Sequence, residues 1–305
     1  FLLARVSGTA PAIHVWNLTD GTRIGSVPHL SEPSGILTDR ERRHLLVRAP
    51  DGRPRLYAIP ELREIPGPWT DLAVNGVLTL SPSGTGIAFV EDRNVGMWSI
   101  DTLDRTWTRT LDDPPHLLEF SADGAELLAA GEAGIGWRLS ARTGQILESI
   151  EPRFGPILAA HASPRNEGFL LVGKQSLSLG PPGPGQPERF RLQLGDPVHG
   201  ACFSPTGEEV LVWTDVRIRE YRLNPGRTTR RAANITDSSI QRVRYAENGY
   251  EIVACTQSGM ASIFTGSKAL SVREGISVDG AALDARFSPD YRQVAVATAG
   301  GGIHV

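Results

Sequence analysis

The chain has 305 residues, with 31 Lys or Arg against 34 Asp or Glu, and its formal net charge at pH 7 is only −3. A charge so close to balance excludes the strong basic field of a general nucleic-acid binder, so we expect no nucleic acid among its partners. No apolar run reaches the roughly 18 residues that a membrane-spanning helix needs, and the first residues lack the pattern of a signal peptide. We therefore expect no membrane contact and a cytoplasmic location.

A short motif recurs along the whole chain. Its clearest copies join an apolar or aromatic residue to a turn rich in Ser, Pro, Asp and Gly: Leu80-Ser-Pro-Ser-Gly84, Phe120-Ser-Ala-Asp-Gly124, Phe203-Ser-Pro-Thr-Gly207, Tyr245-Ala-Glu-Asn-Gly249 and Phe287-Ser-Pro-Asp-Tyr291. With two weaker copies, the anchors lie near positions 37, 80, 120, 162, 203, 245 and 287, in steps of 40 to 43 residues. A period of this length predicts four short strands with turns in each repeat.

Each repeat predicts the same order of elements. The anchor ends a first strand, and the turn follows it. The second strand is a short apolar run, typical of a strand buried on both faces, at 87–90, 127–130, 210–213, 252–255 and 294–297. The third strand carries an aromatic residue 17 to 20 residues beyond the anchor: Tyr57, Trp98, Trp137, Tyr221 and Phe264. The fourth strand is the most variable, as expected of an exposed outer edge, and no long amphipathic helix is predicted.

Two segments make these repeats resemble a known family. Ile13-His-Val-Trp-Asn-Leu18, and Gly136-Trp-Arg-Leu139 followed by Thr143-Gly144, look like the Trp-Asp strand of WD-repeat proteins, and the resemblance covers essentially the whole chain. It implies an all-β fold, a single β-propeller over residues 1–305 with blades of four antiparallel strands around a central channel. The seven anchors favour seven blades, with eight as the alternative.

The repeats also depart from the family pattern. The Gly-His dipeptide is absent, and the residue after the Trp is Asn17, Ser99 or Arg138 in place of Asp. The buried His-Asp-Ser/Thr-Trp hydrogen-bond network of the family therefore cannot be assembled in full. Degenerate repeats of this kind are similar to those of bacterial relatives, which implies a bacterial protein.

The two ends of the chain overlap in the repeat. Residues 1–6 resemble residues 294–299, and Ile13-His-Val15 matches Ile303-His-Val305. From this overlap we expect a fragment of a longer protein. In a seven-bladed ring, the strand near Thr22 to Val27 would close the blade that Phe287 begins, and residues 1–17 would be surplus.

The residue patterns assign no catalytic, cofactor-binding or metal-binding site. The seven histidines have no partner at the spacing of a zinc site. Cys202 and Cys255 lie in apolar runs of different repeats, as is typical of small buried residues.

Partner-binding candidates come from residue type and position. Interface hot spots favour Trp and Arg, so we select two tryptophans near outer strands and a basic cluster: Trp69, Trp107, Arg227, Arg230 and Arg231. Exposed charged turns are the alternative interpretation of the basic cluster.

We predict a non-catalytic scaffold or sensor module that binds protein or peptide within a larger regulatory protein. The resemblance supports this function, because WD-repeat propellers are often attached to kinase, protease or NTPase domains; a catalytic domain of that kind would lie outside this chain. The alternative is a propeller enzyme, such as a lactonase, a quinone-dependent dehydrogenase or a hydrolase. Three or more His, Asp or Glu within about 5 Å in the channel would favour the enzyme, and an apolar or Arg-rich rim would favour binding.

Overall fold

The structure is a computed structural model that describes residues 2–6, 12–17, 20, 22–28, 36–72, 76–151, 155–180, 188–223, 231–235, 238–265, 270–300 and 302–305. In these residues the chain forms thirty β-strands and one short 3-10 helix, which confirms the all-β prediction. The strands make eight antiparallel sheets, numbered 1 to 8 in chain order. The chain divides into two units, Phe1–Ile157 and Leu158–Val305, with four sheets in each.

The first unit contains sheets 1 to 4. Sheet 1 consists of β1 (Leu2–Val6), β2 (Ala12–Trp16) and β3 (Arg23–Pro28). Sheet 2 consists of β4 (Ile36–Thr38), β5 (His44–Arg48), β6 (Pro54–Ala58) and β7 (Arg63–Ile65), and the 3-10 helix Pro68–Asp71 follows it. Sheet 3 consists of β8 (Leu78–Leu80), β9 (Gly86–Glu91), β10 (Asn94–Ser99) and β11 (Arg105–Thr110). Sheet 4 consists of β12 (Pro115–Phe120), β13 (Glu126–Gly131), β14 (Gly136–Ser140) and β15 (Ile146–Ile150).

The second unit contains sheets 5 to 8. Sheet 5 consists of β16 (Ala159–Ala162), β17 (Phe169–Val172), β18 (Ser176–Leu179) and β19 (Phe190–Gln193). Sheet 6 consists of β20 (Gly200–Phe203), β21 (Glu209–Trp213), β22 (Arg217–Arg222) and β23 (Arg231–Asn234). Sheet 7 consists of β24 (Ile240–Tyr245), β25 (Ile252–Thr256), β26 (Met260–Thr265) and β27 (Ser271–Ser277). Sheet 8 consists of β28 (Ala282–Phe287), β29 (Val294–Thr298) and β30 (Ile303–His304).

The described residues form eight sheets, which is the alternative count and not the favoured seven. The extra sheet arises because the strands of residues 2–28 pair with one another, β1 with β2 and β2 with β3. The strand predicted near Thr22 to Val27 is therefore β3 of sheet 1, together with β1 and β2, and it is not part of the described sheet that contains Phe287. Six sheets have the predicted four strands, whereas sheets 1 and 8 have three in the described residues.

The turn after each first strand explains the recurring motif. In seven sheets the fourth residue of the turn has a positive φ, and its N–H donates to the carbonyl of the first turn residue: Arg42, Gly84, Gly124, Asn166, Gly207, Gly249 and Tyr291. Glycine is common here because it enters this left-handed region without steric strain. In sheet 2 the turn runs from Asp39 to Arg42, so the anchor is Thr38, one residue later than the sequence suggests.

The serine of the motif stabilises the same turn. The Ser81 hydroxyl oxygen accepts a hydrogen bond from the Gly86 N–H at 3.0 Å, and Ser204 accepts one from Glu209 at 3.1 Å. In sheet 2, Asp39 replaces the serine and accepts the N–H of Arg43 at 2.7 Å. A short side-chain acceptor at this position therefore links the turn to the start of the second strand.

Burial differs between the strands of each sheet. The second strands are the most buried, as β21 and β25 show, whereas the fourth strand β27 is almost entirely exposed. Within each unit the apolar clusters lie between successive sheets. Leu118 and Trp137 of sheet 4 pack with Val95 of sheet 3 in the first unit, and Phe264 of sheet 7 packs with Leu211 of sheet 6 in the second.

Candidate functional site

The first strands of successive sheets contact one another within each unit. In the first unit these contacts join β4, β8 and β12, and in the second they join β16, β20, β24 and β28. A side chain on one first strand therefore lies near those on the next. Because neighbouring side chains of a strand alternate between its two faces, every second residue of a first strand is available on the face away from the buried core.

The first strands of the second unit differ sharply in charge. Strands β16 and β20 carry mainly small uncharged residues, Ala-Ala-His-Ala and Gly-Ala-Cys-Phe. Strands β24 and β28 instead place charged residues on either side of a buried Val243 and a buried Ala285. These four charged residues form what we call the arginine surface: Arg242, Arg244, Asp284 and Arg286.

One ion pair neutralises part of the arginine surface. Arg244 donates from Nε to Oδ1 of Asp284 at 2.6 Å and from Nη2 to Oδ2 at 2.7 Å, a two-point contact between neighbouring first strands. Burial alone would raise the pKa of Asp284, but the hydrogen bonds and charge of Arg244 hold it below the usual range. Asp284 is therefore ionised at neutral pH. The four first strands β16, β20, β24 and β28 carry three arginines, and Asp284 is their only acidic residue.

The positive charge of Arg242 acts on its surroundings. Arg242 is exposed and has no ion-pair partner among the described residues. Burial, reinforced by the charge of Arg242, lowers the pKa of His161 to about 4, so this histidine is neutral at pH 7. Burial raises the pKa of Cys202 to about 12 despite the opposing charges of Arg244 and Arg242, so Cys202 is an unreactive thiol.

The solved structures that the chain resembles include the following two. The first is the C-terminal WD40 domain of Sif2, with a TM-score of 0.74 and 12% sequence identity, covering 96% of this chain and 88% of that chain. The second is a chain of a mitotic checkpoint complex, with a TM-score of 0.67 and 10% identity, covering 88% of each chain. The chain has a WD40-type β-propeller fold. A scan against protein-family models and a search of curated proteins give no match, so the similarity establishes the fold alone.

In this WD40-type fold, Trp69 lies in the apolar cluster between sheets 2 and 3. It is 0% exposed and packs with Leu46, Phe89 and Trp98. Its indole Nε1 is buried and has no hydrogen-bond partner among the described residues. Trp69 is therefore not exposed, as a residue that binds a partner would have to be.

Trp107 bridges sheets 3 and 4 of the WD40-type fold. It is half-buried on β11, and its indole N–H donates to the carbonyl of Ala141 at 2.8 Å. The ring fills the space beside Gly144, where an added Cβ would lie 2.5 Å from a ring carbon. Arg109 of the same strand donates to the carbonyl of Gly144 at 3.0 Å. These contacts fix the Thr143-Gly144 turn of the next sheet, which gives Trp107 a structural role.

The basic cluster divides between described and undescribed residues. Arg227 and Arg230 lie outside the described residues, whereas Arg231 is only 5% exposed at the start of β23. Arg231 donates from Nε to Glu220 at 2.7 Å, and the same carboxylate accepts the Tyr245 hydroxyl at 2.8 Å. The hydrogen bond to Glu220 raises the pKa of Arg231. This arginine belongs to a buried network between sheets 6 and 7 rather than to an exposed turn.

A cavity of about 470 Å³, partly open to solvent, lies at the turn end of sheets 6 and 7. Glu208, Glu209 and Glu251 line it, together with Arg222 and Arg231. The charged side chains that line the cavity pair with other side chains of the protein. Arg222 lies 3.6 Å from Glu209, and Arg231 binds Glu220. In the described part of the chain, no group of three His, Cys, Asp or Glu is placed to hold a metal ion, and no helix is long and apolar enough to cross a membrane.

None of the residues of the arginine surface is among the candidates selected from the sequence, although the sequence carries a signal for them. Charged residues stand one and three positions before the anchors Tyr245 and Phe287. Before Phe203 the same positions hold Cys and Gly, and before Ala162 they hold His and Ala. Comparing these positions between repeats would have identified β24 and β28 as the charged pair.

Proposed function

We propose that this chain is a non-catalytic protein-interaction scaffold or sensor module, and that its partner docks on the arginine surface of the second unit. The observation that carries the proposal is the excess of arginine over acid on β24 and β28. Arginine suits a docking role because its guanidinium is always charged and binds carboxylates at two points. An Arg-rich surface on the first strands is the feature that favours binding over catalysis.

We further propose that the chain is a module of a larger regulatory protein, which is bacterial in origin and located in the cytoplasm. The resemblance of the repeats to WD-repeat proteins supports the regulatory role. Cys202 and Cys255 are both free thiols, which fits a reducing compartment. The partner is a protein or peptide, and we expect no nucleic acid and no membrane surface.

The test is affinity purification from native cells with the wild-type protein and with the double variant Arg242→Glu/Arg286→Glu. We expect the double variant to lose a specific protein that the wild type retains, and that loss must be reproduced with the purified partner by calorimetry. Arg292→Glu, in the exposed turn after β28, makes the same change of charge outside the arginine surface and serves as the control. Identical partners for the wild type and the double variant would contradict the proposal.

The second candidate function is a propeller enzyme, and the cavity of about 470 Å³ beside three glutamates is the observation in its favour. Its test is the variant Glu251→Gln, which changes the cavity wall and leaves the arginine surface intact. Loss of a small-molecule turnover in Glu251→Gln, with partner binding unchanged, would favour the enzyme.

A further inference from the structure

The cavity at the turn end of sheets 6 and 7 has a wall whose charges are balanced within the protein. Its three glutamates each pair with an arginine: Glu208 with Arg165, Glu209 with Arg222 and Glu251 with Arg273. The other arginine of the wall, Arg231, binds the buried Glu220. A ligand therefore needs no net charge, and a charged ligand would compete with ion pairs that already exist.

The same wall offers hydrogen-bond donors and acceptors side by side. Nη2 of Arg222 is 3.6 Å from Glu209, beyond hydrogen-bond range, and its Nε has no hydrogen-bond partner among the described residues. Oδ1 of Asn248 accepts the backbone N–H of Tyr250 at 2.9 Å, which leaves the amide NH2 as a donor. Glu208 is 54% exposed, so a solvated ion pair holds its carboxylate only weakly. A ligand that both donates and accepts hydrogen bonds fits this wall.

An exposed aromatic ring completes the wall. Tyr250, in the turn after β24, lines the cavity and is 76% exposed. No Val, Leu, Ile or Met is among the described residues that line the cavity. The face of an aromatic ring carries partial negative charge and attracts the weakly positive hydrogens of C–H bonds. A pyranose ring presents such C–H bonds on its face and hydroxyl groups around its edge, and each hydroxyl both donates and accepts.

We propose that this cavity binds a neutral carbohydrate, with a pyranose ring stacked on Tyr250 and its hydroxyls hydrogen-bonded to Arg222, Asn248 and Glu208. A volume of about 470 Å³ lies within the range of small-molecule sites and can hold a monosaccharide or a disaccharide. The site uses none of the residues of the arginine surface and goes beyond the scaffold function proposed above.

A cationic ligand is the main alternative, because three glutamates line the cavity. It fits less well, since Arg222 and Arg231 stand in the same wall and each glutamate already has an arginine partner. An anionic ligand would meet the three carboxylates. A neutral ligand with several hydroxyls meets neither repulsion.

The experiment measures binding of glucose, galactose, mannose, N-acetylglucosamine and maltose to the full chain by saturation-transfer NMR and calorimetry. We expect saturable binding of at least one of these sugars, with a Kd on the order of 1 mM or lower. Arg222→Lys keeps the positive charge beside Glu209 but loses the planar donor fork, so it should weaken binding by about threefold or more.

Tyr250 provides the sharper test. Tyr250→Ala should weaken binding by about fivefold or more, whereas Tyr250→Phe keeps the ring and should change it by less than about threefold. Tyr291→Ala makes the same truncation in the equivalent turn of sheet 8, outside the cavity, and serves as the control. Circular dichroism should show that Tyr250→Ala remains folded, because the side chain is so exposed.

The absence of binding for all five sugars would overturn the inference, as would equal weakening in Tyr250→Ala and Tyr291→Ala. Protonated glucosamine tests the cationic alternative, because an ammonium group replaces one hydroxyl of glucose. If it binds about tenfold more tightly than glucose, the cavity is a cation site and not a carbohydrate site. The scaffold proposal is independent of these results, since its test changes only residues of the arginine surface.

Discussion

Arg231 and Arg242 are both strand arginines of the second unit, but their surroundings differ. Arg231 is 5% exposed and bound to Glu220, and Arg242 is exposed. Residue type and local charge favoured Arg231 as a partner contact and did not identify Arg242. These two features do not reveal which side chain a neighbouring sheet covers. The buried Arg231 is explained by Glu220 and Tyr245, which approach from another strand and another sheet.

The difference in burial predicts that the same substitution destabilises the protein strongly at Arg231 and hardly at all at Arg242. Arg231→Met should lower the free energy of unfolding by about 3 kcal/mol, because it leaves the Glu220 carboxylate buried without its cation. Arg242→Met should change it by less than about 0.5 kcal/mol, since an exposed side chain loses little. Denaturant unfolding followed by circular dichroism measures both. Equal stability of the two variants would contradict the structural role of Arg231.

At the scale of the strand and turn, the sequence predicted most of the fold. The anchors at Leu80, Phe120 and Phe203 each end a first strand, and the aromatic positions Trp98 and Trp137 lie in third strands. This success has a local cause, because the turn is held by its own serine and by a residue with positive φ. The count of sheets was not predictable in this way, since it depends on which strands of residues 2–28 pair with each other.

The turn geometry predicts a pair of opposite stability changes. Gly249 has φ +73°, and an added Cβ would meet only Pro205 Cδ at 3.8 Å, so Gly249→Ala tests backbone strain without a clash. We expect it to lower stability by about 1 kcal/mol. Arg42 occupies the equivalent position with φ +56° and is exposed, so Arg42→Gly should raise stability by up to about 1 kcal/mol. Thermal unfolding of both variants provides the measurement, and a destabilised Arg42→Gly would show that φ does not limit this turn.

At the scale of the whole molecule, the amino-acid composition does not predict the candidate site. A formal net charge of −3 predicts a chain that does not attract acids, and the distribution of charge over the sheets reverses that expectation at β24 and β28. Burial is equally invisible in composition. Trp69 is a large aromatic residue near an outer strand, but the cluster between sheets 2 and 3 covers it completely.

Local charge, and not the total, should therefore control binding of the partner protein that we propose for the arginine surface. Glu274 is exposed on β27, in register with Arg244 across three strand spacings, about 14 Å away. That distance exceeds the screening length of about 8 Å at physiological salt. Glu274→Lys changes the net charge by the same amount as Arg242→Glu, in the opposite direction, yet should alter the Kd for the partner protein by less than about twofold.

Raising the salt concentration from ~0.05 M to ~0.5 M should weaken wild-type binding severalfold, because exposed arginines are screened. Calorimetric titrations of the purified partner with the wild type and with Glu274→Lys, at both salt concentrations, measure these effects together. If Glu274→Lys tightens binding as strongly as Arg242→Glu weakens it, the partner protein responds to the charge of the whole molecule, and the arginine surface is not its docking site.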